Sequence, residues 1–184
     1  GTPDRYREAA RRAVAAAAFR AAFPQAPPGE IQWQALAGDG SARRWYRLAC
    51  GPHRLVAVDH GIRPSPAVGE ADAFVAIGAH LQARGVPVPR IFRHDAFAGL
   101  VVEEDLGDVS LQAHLQGRGP AERRRCYAEV MDLVARMSLR GGEGFDPAWT
   151  WQTPRYDAAV ILERECRYFR QAFLKEFDRA KRYD

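Results

Sequence analysis

The hydrophobic pattern along the chain changes character twice. Residues 4–23 are filled with alanines and predict a helix, with Asp4 as its cap and Pro24 as its stop. After a linker over 24–30, "IQWQALA" (31–37) alternates as a strand does, with Ile31, Trp33 and Ala35 on one face. "RWYRLAC" (44–50) and "RLVAVDH" (54–60) predict two further strands, and the short turns between the three make an antiparallel meander. A helix is predicted over 68–84, with Ala71, Phe74, Val75, Gly78 and Leu81 or Gln82 on its apolar face and Gly85 ending it before "VPVP". "RIFRHD" (90–95) and "GLVVEE" (99–104) predict two more strands. Beyond residue 105 no strand pattern remains. A short helix is predicted over 109–116, a long one from Pro120 to about 140, a loop over 141–154, and a charged amphipathic helix over 156–178 with Ile161, Phe169 and Phe173 available for burial.

Composition narrows the class. Nearly half of the 184 residues are hydrophobic, enough for a core, and the net charge is +4. The arginines are spread along the chain rather than gathered in a patch, which argues against nucleic acid as the partner. Those of the first helix are spread around it, which predicts a solvated helix rather than a membrane-surface one. Lys175 and Lys181 are the sole lysines and asparagine is absent, the bias of a GC-rich bacterial coding sequence. Three cysteines without a CxxC pair suggest neither a zinc ribbon nor a disulfide framework, and fit reduced thiols in a cytoplasm. No stretch is apolar for long enough to span a bilayer.

Three stretches, "GDGSARRWYRL" (38–48), "RGVPVPRIFRHD" (84–95) and "GLVVEEDLGDVSL" (99–111), together resemble the aminoglycoside phosphotransferase and choline-kinase-like family. Within it they look most like the bacterial kinases that phosphorylate N-acetylmuramate and N-acetylglucosamine at the anomeric hydroxyl. "RYDAAVILERECRYFRQAFL" (155–174) looks like the helix those proteins carry before their catalytic loop. The resemblance covers about residues 30–178. It implies an α+β fold: a protein-kinase-like small lobe of five antiparallel strands and one helix, then the first helices of a truncated helical large lobe. The division falls at 1–105 and 106–184. It also implies ATP or GTP with Mg²⁺, a small sugar as acceptor, and a cytoplasmic location.

The residues themselves support parts of this. Gly38 and Gly40 let the backbone turn tightly toward a triphosphate, with Asp39 between them and Ser41 as an added hydroxyl donor. Arg43, Arg44 and Arg47 can offset phosphate charge, although alternation places Arg43 and Arg44 on opposite faces, so not both can serve. The end of the fifth strand, Val102, Glu103, Glu104, Asp105 and Leu106, would meet the adenine edge, through main chain more than side chain. Glu70 opens the second helix. In kinases such a Glu pairs with a third-strand Lys that holds the α- and β-phosphates. Here the third strand offers Val56 or Val58 instead, so an arginine is expected to substitute, Arg44 or Arg47 being favoured. Glu70 also suits a helix N-terminus on macrodipole grounds alone.

Phosphoryl transfer in this fold further needs an H-x-D-x-x-x-x-N loop. None of His53, His60, His80, His94 or His114 has Asp two residues later, and no Asn exists. The chain therefore reads as the N-terminal portion of a longer kinase, with no catalytic or metal-binding residue of its own and no turnover alone. Apolar helix faces after residue 120 would favour association between copies. Two other readings stay open: a non-catalytic nucleotide- or partner-binding module, and, last, a nucleic-acid binder.

Overall fold

The computed structural model describes residues 2–27, 29–37, 43–62 and 67–174. Five strands, β1 (Gln32–Ala35), β2 (Arg44–Cys50), β3 (His53–Asp59), β4 (Ile91–Asp95) and β5 (Leu100–Glu104), form one sheet in the spatial order β1-β2-β3-β5-β4. Every neighbouring pair is antiparallel. The predicted α+β order is therefore observed: a meander, one helix, then a hairpin. That hairpin inserts β5 beside β3 and leaves β4 at the edge. Its turn depends on Gly99, whose φ is +64°. A Cβ there would also stand 2.1 Å from the carbonyl oxygen of Gly61, so only glycine lets the two backbones meet.

Alternation gives the sheet two faces. On one, Leu48, Leu55, Ala57, Leu100 and Val102 pack against Ala10, Val14, Ala15, Ala18 and Phe19 of α1 (Pro3–Ala22). Each such fully buried Leu or Val contributes about 1.5–3 kcal/mol through the area it removes from water. This corrects the reading of α1 as a solvated helix. A stripe of small alanines lets it lie close to the sheet, and Arg7 and Arg11 both reach the buried Asp59 at the end of β3. The helix also starts at Pro3 with Thr2 as its cap, so Asp4 falls inside the first turn rather than capping it.

The opposite face carries Val58 and Val101 and is the side of α2 (Glu70–Ala83). There His94 lies 3.7 Å from Asp72, and Gly78 abuts the Ile91 side chain. Here too the sequence expectation shifts. Ala71 and Ala73 are buried, whereas Phe74 is 38% exposed, because the small residues rather than the aromatic one allow the close approach.

After β5 the chain is helical. Ser110 caps α3 (Leu111–His114), accepting from the Ala113 N–H at 3.2 Å, and α4 (Pro120–Arg140) opens with Pro120 in its first turn. The segment after α4 returns to α2. The His80 Nε2–H donates to the Gly141 carbonyl at 2.9 Å, and its ring packs with Phe145 and Trp149. The last described stretch, 158–174, alternates α (Ala158–Val160, Arg167–Phe169) with π turns (Ile161–Cys166, Arg170–Leu174) rather than forming one regular helix. None of its residues is buried: Ile161, Phe169 and Phe173, expected to be available for packing, remain exposed.

Candidate functional site

The site begins with the mouth of the β2–β3 hairpin. Pairing places Arg44 opposite Asp59, so the residues flanking them, Arg43 and His60, stand at the same end of the sheet. The first turn of α2 meets them there. Asp72 accepts from the Gly69 N–H at 2.9 Å, which closes that turn and leaves Glu70 at the helix start. The Glu70 carboxylate receives Arg43 Nη1 at 2.6 Å and lies 3.5 Å from His60 Nδ1. Burial pushes the His60 imidazole below its ordinary pKa, against the pull of Glu70 and with the push of Arg43. At neutral pH His60 is thus the neutral neighbour of the pair. The Arg43 guanidinium also lies over Trp45, 5.7 Å from the ring centre.

A second cluster lies where β5 leaves the sheet. Arg47 of β2 donates from Nε and Nη2 to the two oxygens of Asp105, at 2.7 and 3.1 Å, and from Nη1 and Nη2 to Asp108, at 2.8 and 2.9 Å. Asp105 also accepts from the Gly107 N–H at 2.9 Å. Hydrogen bonds from Arg47 hold both carboxyls below the usual range, and the two aspartates raise Arg47, Asp108 foremost. Between the clusters sits Glu103, 5% exposed on the α2 side of β5. Its Oε2 has no hydrogen-bond partner among the described residues, and burial pushes its pKa up to about 7.

Gly38, Asp39, Gly40 and Ser41 lie outside the described residues. Arg44, favoured as the partner of Glu70, is exposed at the start of β2, and Arg47, the other favoured residue, is held by Asp105 and Asp108. Arg43 takes the place next to Glu70 instead. Alternation carries the signal: Arg43 shares the face of Trp45 and Arg47, the α2 side, whereas Arg44 faces α1. Of the five residues assigned to the base edge, Val102 points its side chain into the α1 core, and β5 is hydrogen-bonded on both edges. The Glu104 N–H donates to the Arg90 carbonyl at 2.9 Å, so a connector clear of the ladder begins at Asp105 and Leu106. His60 and Asp108 have no site role that the sequence alone assigns, because their partners lie far away along the chain.

The profile of the phosphotransferase enzyme family matches residues 32–183. The chain belongs to that family. The match bears out the resemblance carried by the three motif stretches, and it begins after α1. Among curated relatives, this family member is 32% identical over 142 residues to the N-acetylmuramate/N-acetylglucosamine kinase of Caulobacter vibrioides, covering 64% of this chain and 39% of that protein. It is 29% identical over 150 residues to the protein of the same name from Pseudomonas aeruginosa, covering 82% of this chain and 39% of that protein. This phosphotransferase-family chain thus spans about two-fifths of the length of these relatives. No solved structure matches it.

Proposed function

We propose that this chain is the nucleotide-binding part of a kinase that transfers the γ-phosphoryl group of ATP or GTP to a hydroxyl of a small sugar. An N-acetylated amino sugar of bacterial cell-wall recycling is the favoured acceptor. The observation that carries the reading is the Arg43–Glu70 pair. It stands on the α2 side of the sheet, directly after the glycine-bearing stretch 38–42, inside the family match. Glu70 anchors the guanidinium in place, and a planar guanidinium is the side-chain cation suited to recognising phosphate. Arg43 would thus do the work of the lysine that β3 lacks.

Mg²⁺ supplies charge neutralisation of the phosphates in such a reaction. The sequence carries no H-x-D-x-x-x-x-N stretch, the element that supplies the attacking-hydroxyl base and a metal ligand in this chemistry. On this reading the 184 residues alone turn over no sugar, and ATP-dependent phosphorylation by them would overturn it. A cytoplasmic location accords with nucleotide use and with three free cysteines.

In the full-length protein, Arg43→Met should lower kcat/KM for ATP by about 10- to 100-fold, the range for losing one charge-assisted contact, with Arg43→Lys recovering part of it. Gly40→Leu should raise the KM for ATP. Unchanged kinetics in both variants would refute the site. Nucleotide binding without sugar phosphorylation by the full-length protein would favour a non-catalytic module instead.

A further inference from the structure

The motifs offer Arg47 as a cation for phosphate. The structure gives it a different task. Its side chain is 13% exposed, and Asp105, which it grips with two hydrogen bonds, is 8% exposed. The second arm, to Asp108, is at the surface, with Asp108 76% exposed. The guanidinium is therefore occupied by two bidentate carboxylates and has little left for a ligand. The cluster crosses the sheet: Arg47 pairs with Val56 of β3, and Val56 pairs with Glu103 of β5. The side chain thus reaches past β3 to seize the connector just beyond the ladder. The other flank of that connector is tied as well, by the Glu104 N–H to the Arg90 carbonyl at 2.9 Å and the Arg90 N–H to Glu104 Oε2 at 3.2 Å. Inside it, the Asp105–Gly107 hydrogen bond and the φ of +80° at Gly107 set a tight bend.

We propose that Arg47 is a positioning residue that, through Asp105 and Asp108, holds the 105–108 connector in the one backbone conformation able to present its amides and carbonyls to the nucleobase. The inference rests on the nucleotide-binding reading above and adds a residue that never touches the nucleotide. Its physical content is preorganisation. When the connector is competent only a fraction of the time, apparent affinity falls by that fraction, while the chemical step of the bound complex is untouched. Arg47 variants should therefore act on binding and spare kcat, unlike a phosphate ligand, whose charge matters most in the transition state.

The test compares Arg47→Met, Arg47→Lys and Asp105→Asn with the parent in the full-length protein, by amide hydrogen exchange without ligand and by steady-state kinetics in ATP. Exchange over 105–109 should quicken in all three while the β2–β3 amides keep their protection, which separates a loosened connector from a failed fold. The KM for ATP should rise by roughly tenfold in Arg47→Met, for a connector competent about a tenth of the time, with kcat within about twofold. Arg47→Lys should fall between Met and the parent, since an ammonium cannot grip both carboxylates side-on. Asp108→Asn, at the exposed arm, should do least. Unaltered exchange over 105–109 in Arg47→Met would overturn the clamp. Faster exchange with an unchanged KM would overturn its role in binding, and a loss of kcat with KM unchanged would return Arg47 to the phosphates. The exchange arm needs no nucleotide. A parent protein with no affinity for ATP would therefore sink the functional reading while leaving the connector result to stand by itself.

Discussion

Glu103 is the residue where burial and charge conflict most. A carboxyl with pKa near 7 in the fold and an ordinary value of 4.5 when unfolded binds more protons folded than unfolded across that interval. Stability linked to it is therefore full below about pH 4.5, falls as pH rises toward 7, and stays low above. The span corresponds to about 3 kcal/mol at most. Glu103→Gln should accordingly raise Tm at pH 8 and make little difference at pH 5, which thermal unfolding at the two pH values checks. Equal effects at both would show that the carboxyl finds a partner at high pH. Nothing in "LVVEED" announces this burial. Two consecutive glutamates at a strand end read as solvent-facing, yet alternation sends one to each face and the α2 side happens to be covered. Asp59 shows the opposite outcome at the same depth. Burial pushes it up, but hydrogen bonds from Arg11 and the Gly61 N–H, with Arg7 nearby, bring it below the ordinary value.

At the scale of elements, strands and their order were legible because alternation, short turns and glycines are local signals. "RWYRLAC-GP-HRLVAVD" folds back on itself with Cys50 opposite His53. The docking of α1 was not legible. Its buried stripe is mostly alanine, whose burial contributes little per residue and leaves a weak pattern, and its anchor, Asp59, lies about fifty residues away. That anchor makes the helix a structural part of the sheet. Replacing both Arg7 and Arg11 by Gln would leave the Asp59 carboxylate buried without an ion partner and should destabilise the fold by about 3–5 kcal/mol, read by denaturant unfolding. Adding Asp59→Asn to that pair should recover much of the loss. A double variant as stable as the parent would show that the Asp59 charge needs no counter-charge.

At the scale of the whole molecule, the chain divides its two sheet faces between two tasks. The α1 side holds the apolar core and the Asp59–Arg7–Arg11 cluster, while the α2 side carries Arg43 with Glu70 at one end, Arg47 with the connector at the other, and Glu103 between. The motifs "GDGSARR" and "EEDLGD" indicated both ends, but which arginine served which end depended on the register of β2 and on the reach of side chains across β3. The helices after residue 120 carry exposed Tyr127, Met131, Met137 and Phe169, in a chain that spans about two-fifths of its relatives. On the proposed reading, nucleotide lies on the α2 side, between the Arg43–Glu70 pair and the connector. It is tested most directly by amide hydrogen exchange of the full-length protein with and without ATP and Mg²⁺. Bound nucleotide should slow exchange over 38–44, at the first turn of α2 and over 105–107, with α1 unchanged. Protection confined to α1 and β1, or no protection at saturating ATP, would contradict it.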